Sequence, residues 1–133
     1  MLTIDLQDLT AFKTDSVVLS DFYINFDVKS NHRIFLKDIL IKNYKTNLDK
    51  IGDTIFRKEE KLSDNTSLKE QYKFKDGVFT LYDNFLITPT GLKFLYNPMD
   101  IKPLNAGQTV VFIPYSKIKS LLLPHTVISQ YIK

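Results

Sequence analysis

The chain has 133 residues, enough for one domain with a single real core. A hydrophobic fraction of 44% with only 4 Gly and 5 Pro excludes a disordered or low-complexity chain. The net charge of +3 comes from basic and acidic residues that interleave, as in SKIKS and RKEEK, which argues against the concentrated basic patch that nucleic acid requires. The absence of Cys removes disulfides, thiol catalysis and thiolate metal sites together, and leaves the redox compartment open.

Residues 1–16 are read as an N-terminal extension or first strand, and 17–133 as the folded domain. The opening text, MLTIDLQDLTAF, has neither a basic start nor an unbroken apolar run, so it does not read as a signal peptide. No stretch reaches the ~18 consecutive apolar residues of a membrane span.

From Val17 to Val28 the text alternates with a period of two. Phe22, Ile24, Phe26 and Val28 are expected to face the core, with Asp21, Tyr23, Asn25 and Asp27 toward water. KSNHR reads as a turn, and IFLKDILIK as a short helix starting near Leu36. Tyr44, Leu48, Ile51 and Ile55 form one helical stripe between Tyr44 and Leu62, with Thr46 or Asn47 as the expected cap. A short strand is expected around Val78–Tyr82. NFLIT and GLKFLYN read as a hairpin whose Gly91 supplies a positive φ. NPMDIKPLNAG is a loop and TVVFI the last strand; Ser116 is expected to cap a short helix, KIKSLL, that Pro124 stops. The closing TVISQYIK reads as a strand or short helix. This order predicts an α+β fold: an antiparallel sheet with helices packed on one face.

Catalytic patterns are not evident. His32 and His125 lie far apart in sequence, with no metal-ligand spacing. There is no G-x-S-x-G, no glycine-rich phosphate loop, and no carboxylate in an evident apolar pocket. The expectation is therefore a protein that is not an enzyme and uses no cofactor or metal. The nine aromatics between Tyr72 and Tyr115 are expected to be mostly core. Tyr82, Tyr96 and Tyr115, at strand ends, are candidates to line a binding surface. Pro98 and Pro103 stiffen the adjoining loop in the manner of a recognition loop.

The stretch NFLITPTGLKFLYNPMDIKPLNAGQTVVFIPYSKIKSLL resembles the C-terminal signature of an exported bacterial domain of unknown function. That domain forms the extracellular part of the lysozyme-sensing anti-sigma factor RsiV and accompanies the peptidoglycan deacetylase PdaC. The matching positions include Phe85, Ile87, Gly91, Leu92, Phe94, Tyr96, Gly107, Ile113, Pro114 and Tyr115. Met99 and Leu104 stand where the family usually carries tyrosines. The resemblance implies a non-catalytic extracytoplasmic module, attached to a membrane only through a segment absent from this chain. Its implied partner is a protein, with lysozyme the candidate, or a cell-wall glycan. Tyr82, Tyr96, Asn97, Met99, Asp100, Leu104 and Tyr115 are the candidate contact residues. The rivals are a peptidoglycan-modifying accessory domain and a cytosolic interaction protein.

Overall fold

The computed structural model describes residues 1–12 and 16–132, with side chains described for 1–9 and 18–132. Its regular structure is α+β: two three-stranded antiparallel sheets and one α-helix. The first sheet has the order β1 (Leu2–Phe12), β2 (Ser16–Asp27), β3 (His32–Ile34), and α1 (Lys45–Glu59) follows it. The second has the order β4 (Phe85–Ile87), β5 (Gly91–Tyr96), β6 (Thr109–Pro114), and α1 packs on β6.

The helix buries Leu48, Gly52 and Phe56, spaced i, i+4, i+8, with Ile51 and Ile55 partly buried beside them. The predicted stripe was thus one edge of a wider face whose centre is Phe56. Its ring meets Tyr72, Phe74 and Phe79 at centroid distances of 5.0, 5.7 and 5.3 Å, and Tyr96 packs against Phe74 and Phe79. Such edge-on and tilted pairs add to the area they bury. Gly52 sits where the chain passes closest, since a Cβ there would lie 3.0 Å from Leu81 and Phe79. Neither Thr46 nor Asn47 caps the helix; both lie inside it, and Tyr44 occupies the cap position without a side-chain hydrogen bond.

The segment 78–82 forms no strand. Its apolar residues Phe79 and Leu81 are buried as strand residues would be, but helix side chains take the place of a partner strand. The Leu81 N–H donates to Asp49 Oδ1 (3.1 Å), and Lys45 Nζ donates to the Leu81 carbonyl (3.1 Å). Two predicted helices shrink in the same way. IFLKDILIK yields one 3-10 turn, Leu36–Asp38, and KIKSLL yields two, Tyr115–Lys117 and Lys119–Leu121. Ser116 caps neither. The C-terminal stretch forms a fourth such turn, Ser129–Tyr131. In each case short apolar spacing buries a side chain without the length a stable α-helix needs.

The 84–96 hairpin forms as predicted, but Gly91 does not have a positive φ; among glycines only Gly77 and Gly107 do. Space is what it needs. A Cβ on Gly91 would collide with the Ile113 carbonyl and lie 2.9 Å from Pro114 Cα across the β5–β6 pair.

The largest departure lies in β2, which forms where predicted but faces the other way. Asn25 is 1% exposed and Asp21 8%, whereas Phe22 is 48% exposed. Three asparagine side chains explain the inversion. Asn25 Nδ2 donates to the Phe85 carbonyl and its Oδ1 accepts from the Ile87 N–H, both at 2.9 Å, so the amide occupies the free edge of β4 as a strand would. Asn84 and Asn97 return the favour on the edge of β2 that β3 leaves open, since β3 pairs only with residues 25–27. The Tyr23 N–H donates to Asn84 Oδ1 (2.9 Å) and the Asp21 N–H to Asn97 Oδ1 (2.8 Å). The Asp21 carbonyl accepts from Asn84 Nδ2 (2.8 Å) and Asn97 Nδ2 (3.0 Å). The two sheets are stitched edge to edge through amides.

This stitching predicts that Asn25→Ala costs about 4 kcal/mol in urea unfolding, because it orphans a buried carbonyl and a buried N–H at ~1–3 kcal/mol each. Asn25→Asp is expected to be nearly as damaging, since it keeps the Ile87 contact but faces the Phe85 carbonyl with an oxygen. Stability near wild type in both would refute the bridge. A pH effect belongs to the same network. Gln108 Nε2 donates to Asp21 Oδ2 (2.6 Å) and holds that carboxyl below its ordinary range. Its contribution is complete above the unfolded carboxylate value of ~4 and is lost as pH falls through the depressed folded value. Gln108→Met should therefore move the acid-unfolding midpoint, followed by circular dichroism, to higher pH.

Candidate functional site

The structure sorts the seven predicted contact residues into two groups. Tyr96 and Tyr115 are buried, and each hydroxyl is committed to a backbone carbonyl: Tyr96 to Thr80, and Tyr115 to Thr88 at 2.6 Å. Burial pushes both phenols well up, so they are neutral donors that lock the fold. Asn97 is buried on β2, and its own N–H donates to Asp100 Oδ2 (2.7 Å), which closes the 97–100 turn. Tyr82 is half-buried, its ring edge-on to Tyr96 at 4.9 Å. Of the predicted contact residues, the loop offers at its surface Met99, exposed with a φ of 75°, and half-buried Asp100 and Leu104. Strand-end position does not distinguish a phenol that lines a surface from one that ties off a carbonyl, and the sequence carried no signal for the second role.

The inversion of β2 creates a surface that the sequence did not advertise. Leu2, Ile4 and Leu6 of β1 stand opposite Phe26, Ile24 and Phe22 of β2, on the face turned away from the second sheet. Leu6 is 50% exposed and Leu2 nearly as much, while Ile4, Ile24 and Phe26 are half-buried. Val28 and Met1 extend the exposed apolar text at one end. β1 is also an edge strand of 11 residues that carries no Lys or Pro, the usual devices that discourage pairing with another chain. The two strands contain Asp5, Asp8, Asp21 and Asp27 and no Lys or Arg, in a protein whose net charge is +3. The ribbon is apolar on its outer face and acidic in sign.

Among the described residues no group of three or more His, Cys, Asp or Glu is arranged to hold a metal ion. No helix among them is long and apolar enough to cross a membrane.

Comparison with known proteins gives a consistent picture of the fold. No curated protein matches the chain. A crystal structure of a DUF3298 family member from Bacteroides fragilis superposes with a TM-score of 0.80 at 22% identity, covering 98% of this chain and 51% of that one. A DUF3298 family protein from Pseudomonas aeruginosa PAO1 gives a TM-score of 0.73 at 16% identity, over 92% of this chain and 55% of that one. At these identities the likeness concerns the fold, and this chain spans about half the length of either protein. The family model described as "Protein of unknown function (DUF3298)" matches residues 33–116, from β3 through β6 and into the turn that follows. The chain belongs to the DUF3298 family.

Proposed function

We propose that this chain is a non-catalytic binding module of a bacterial envelope protein, acting outside the cytoplasm, that recognises a basic partner protein through its β1–β2 ribbon. The observation that carries the reading is the ribbon itself: exposed apolar pairs, an open strand edge, and four aspartates along its two strands. Apolar patches of this kind serve as interaction sites. An open edge suits addition of an extended segment by main-chain hydrogen bonds, with alternate side chains setting specificity. The acidic sign favours a basic partner and disfavours a second copy of the ribbon, whose like charges would be brought together.

The resemblance of residues 84–122 to the RsiV extracellular domain supplies lysozyme as the candidate partner, and the envelope location comes from the same source. The contact surface is moved, however, from the 84–115 region to the ribbon, because Tyr96, Asn97 and Tyr115 are internal.

Titration calorimetry against a c-type lysozyme tests the reading, with a soluble muropeptide in parallel. Saturable binding to lysozyme that weakens with salt is expected, because exposed charges are screened within ~8–10 Å at physiological ionic strength. Leu6→Lys and Phe22→Lys should abolish it while leaving the melting temperature within a few degrees of wild type, since both side chains face solvent. Absence of lysozyme binding removes that partner. Binding that survives both substitutions removes the ribbon as the contact surface.

A further inference from the structure

We propose that the cleft between β3 and the C-terminal segment binds the oxyanion of an acidic saccharide. None of the apolar pairs on the ribbon's outer face lines this cleft, and the site does not depend on the partner assigned to them. Its volume is about 480 Å³, and it brings together residues far apart in sequence: His32, Arg33 and Lys37 from one side, His125 and Thr126 from the other. The two histidines that the sequence leaves apart share this one cleft.

Two carboxylates and two cations line the cleft, and the hydrogen-bonding capacity left free favours an anion. Asp27 and Asp38 also line the cleft, but their oxygens are occupied by local turns. Asp27 accepts from the Lys29 N–H (3.1 Å) and from Ser30 Oγ (2.8 Å), and Asp38 Oδ2 accepts from the Phe35 N–H (2.8 Å). The cations are not so occupied. Arg33 and Lys37 form no ion pair among the described residues. Both instead rest on one exposed ring: the Arg33 guanidinium carbon is 4.9 Å from the centroid of Phe35 and Lys37 Nζ is 5.8 Å from it. A cation held on an aromatic face keeps its edge N–H groups for a ligand, and the planar fork of Arg matches a carboxylate or phosphate.

The polar neutral groups favour a sugar over a bare ion. His32 Nδ1 lies 2.6 Å from the Ser30 carbonyl, which can only accept, so Nδ1 carries the proton. In the neutral ring, Nε2 is then an acceptor, suited to a hydroxyl. Thr126 lines the same cleft, with its hydroxyl closed off from solvent and without a hydrogen-bond partner among the described residues, so a rotation of the side chain would be needed to offer it to a ligand. His125 is held at φ 57°, a left-handed conformation that costs a non-glycine residue on the order of 1–2 kcal/mol. A ligand with an oxyanion at one end and hydroxyls beside it would satisfy this set. Inorganic phosphate would use only the cations, and a neutral sugar only the hydroxyl partners. A second hollow of about 420 Å³ adjoins the cleft, sharing Asp27, His125, Thr126 and Val127 with it and bordered further by Met1, Lys29 and Gln130, which gives room for more than one sugar ring.

The test is amide NMR titration of the full chain with four probes: N-acetylmuramic acid, glucose 6-phosphate, N-acetylglucosamine and a tetraglutamate peptide. Saturable shifts at Arg33, Lys37 and Thr126 with one or both acidic sugars are expected. Which of the two binds tells a carboxylate from a phosphate. Arg33→Gln and Lys37→Gln should each weaken binding about tenfold or more, the scale of one charge-assisted hydrogen bond. Both side chains are exposed, so both variants should fold. Leu6→Lys should bind the sugar as wild type does, which separates this site from the ribbon. Equal binding of N-acetylglucosamine, tighter binding of the peptide, indifference to both substitutions, or silence with both acidic sugars would each overturn the proposal.

Discussion

The arrangement rests on three asparagine amides that act as short pieces of backbone. Each sheet has one short member, since β3 and β4 are three residues each, and each leaves a strand edge without a partner strand. Asn25 completes the open edge of β4, while Asn84 and Asn97 complete the open edge of β2. A carboxamide presents an N–H and a carbonyl oxygen side by side, so it satisfies the donor and acceptor of a strand edge without requiring another strand. Each buried N–H and carbonyl so paired avoids a desolvation penalty, and that penalty, more than the modest net gain of any one bond, holds the register.

One consequence governs the rest of the surface. For Asn25 to reach β4, the polar face of β2 must turn inward, and period-two geometry then sends Phe22, Ile24 and Phe26 outward. β1 follows β2 in register and places Leu2, Ile4 and Leu6 beside them. The exposed apolar ribbon is therefore the other side of the amide stitching. On the opposite side, α1 and the aromatic cluster around Phe56 supply the dry core, and Tyr96 and Tyr115 tie neighbouring segments to it through their hydroxyls.

The cleft has a different origin. The chain leaves β3 through a single 3-10 turn, and the C-terminal segment returns to the same region, joined by the Leu40–Leu122 bridge and by hydrogen bonds from Ile41 to Leu121 and from Leu123 to Ile39. This return sets His125 and Thr126 opposite His32 and Arg33. Loops held by short backbone contacts to a rigid core are where recognition residues commonly sit.

The sequence by itself determined the element types with the longest periodic text: the strand at 17–28, the helix after Tyr44, the 84–96 hairpin and the last strand. It also determined the α+β class, because these signals depend only on local spacing. It could not determine which face of β2 is buried. Alternation says that two faces differ, and the rule that apolar residues go inside fails when polar side chains find hydrogen-bond partners more than 50 residues away. Phe79 and Leu81 were legible as buried but not as unpaired, since Asp49 and Lys45 serve them only once the helix lies across them. Tyr96, Asn97 and Tyr115 looked like contact residues for the same reason: their partners are distant. The two histidines looked unrelated because proximity in space is a property of the chain's return path. Only tertiary structure decided the surfaces, because what a side chain touches is set by non-local pairing that one-dimensional spacing does not encode.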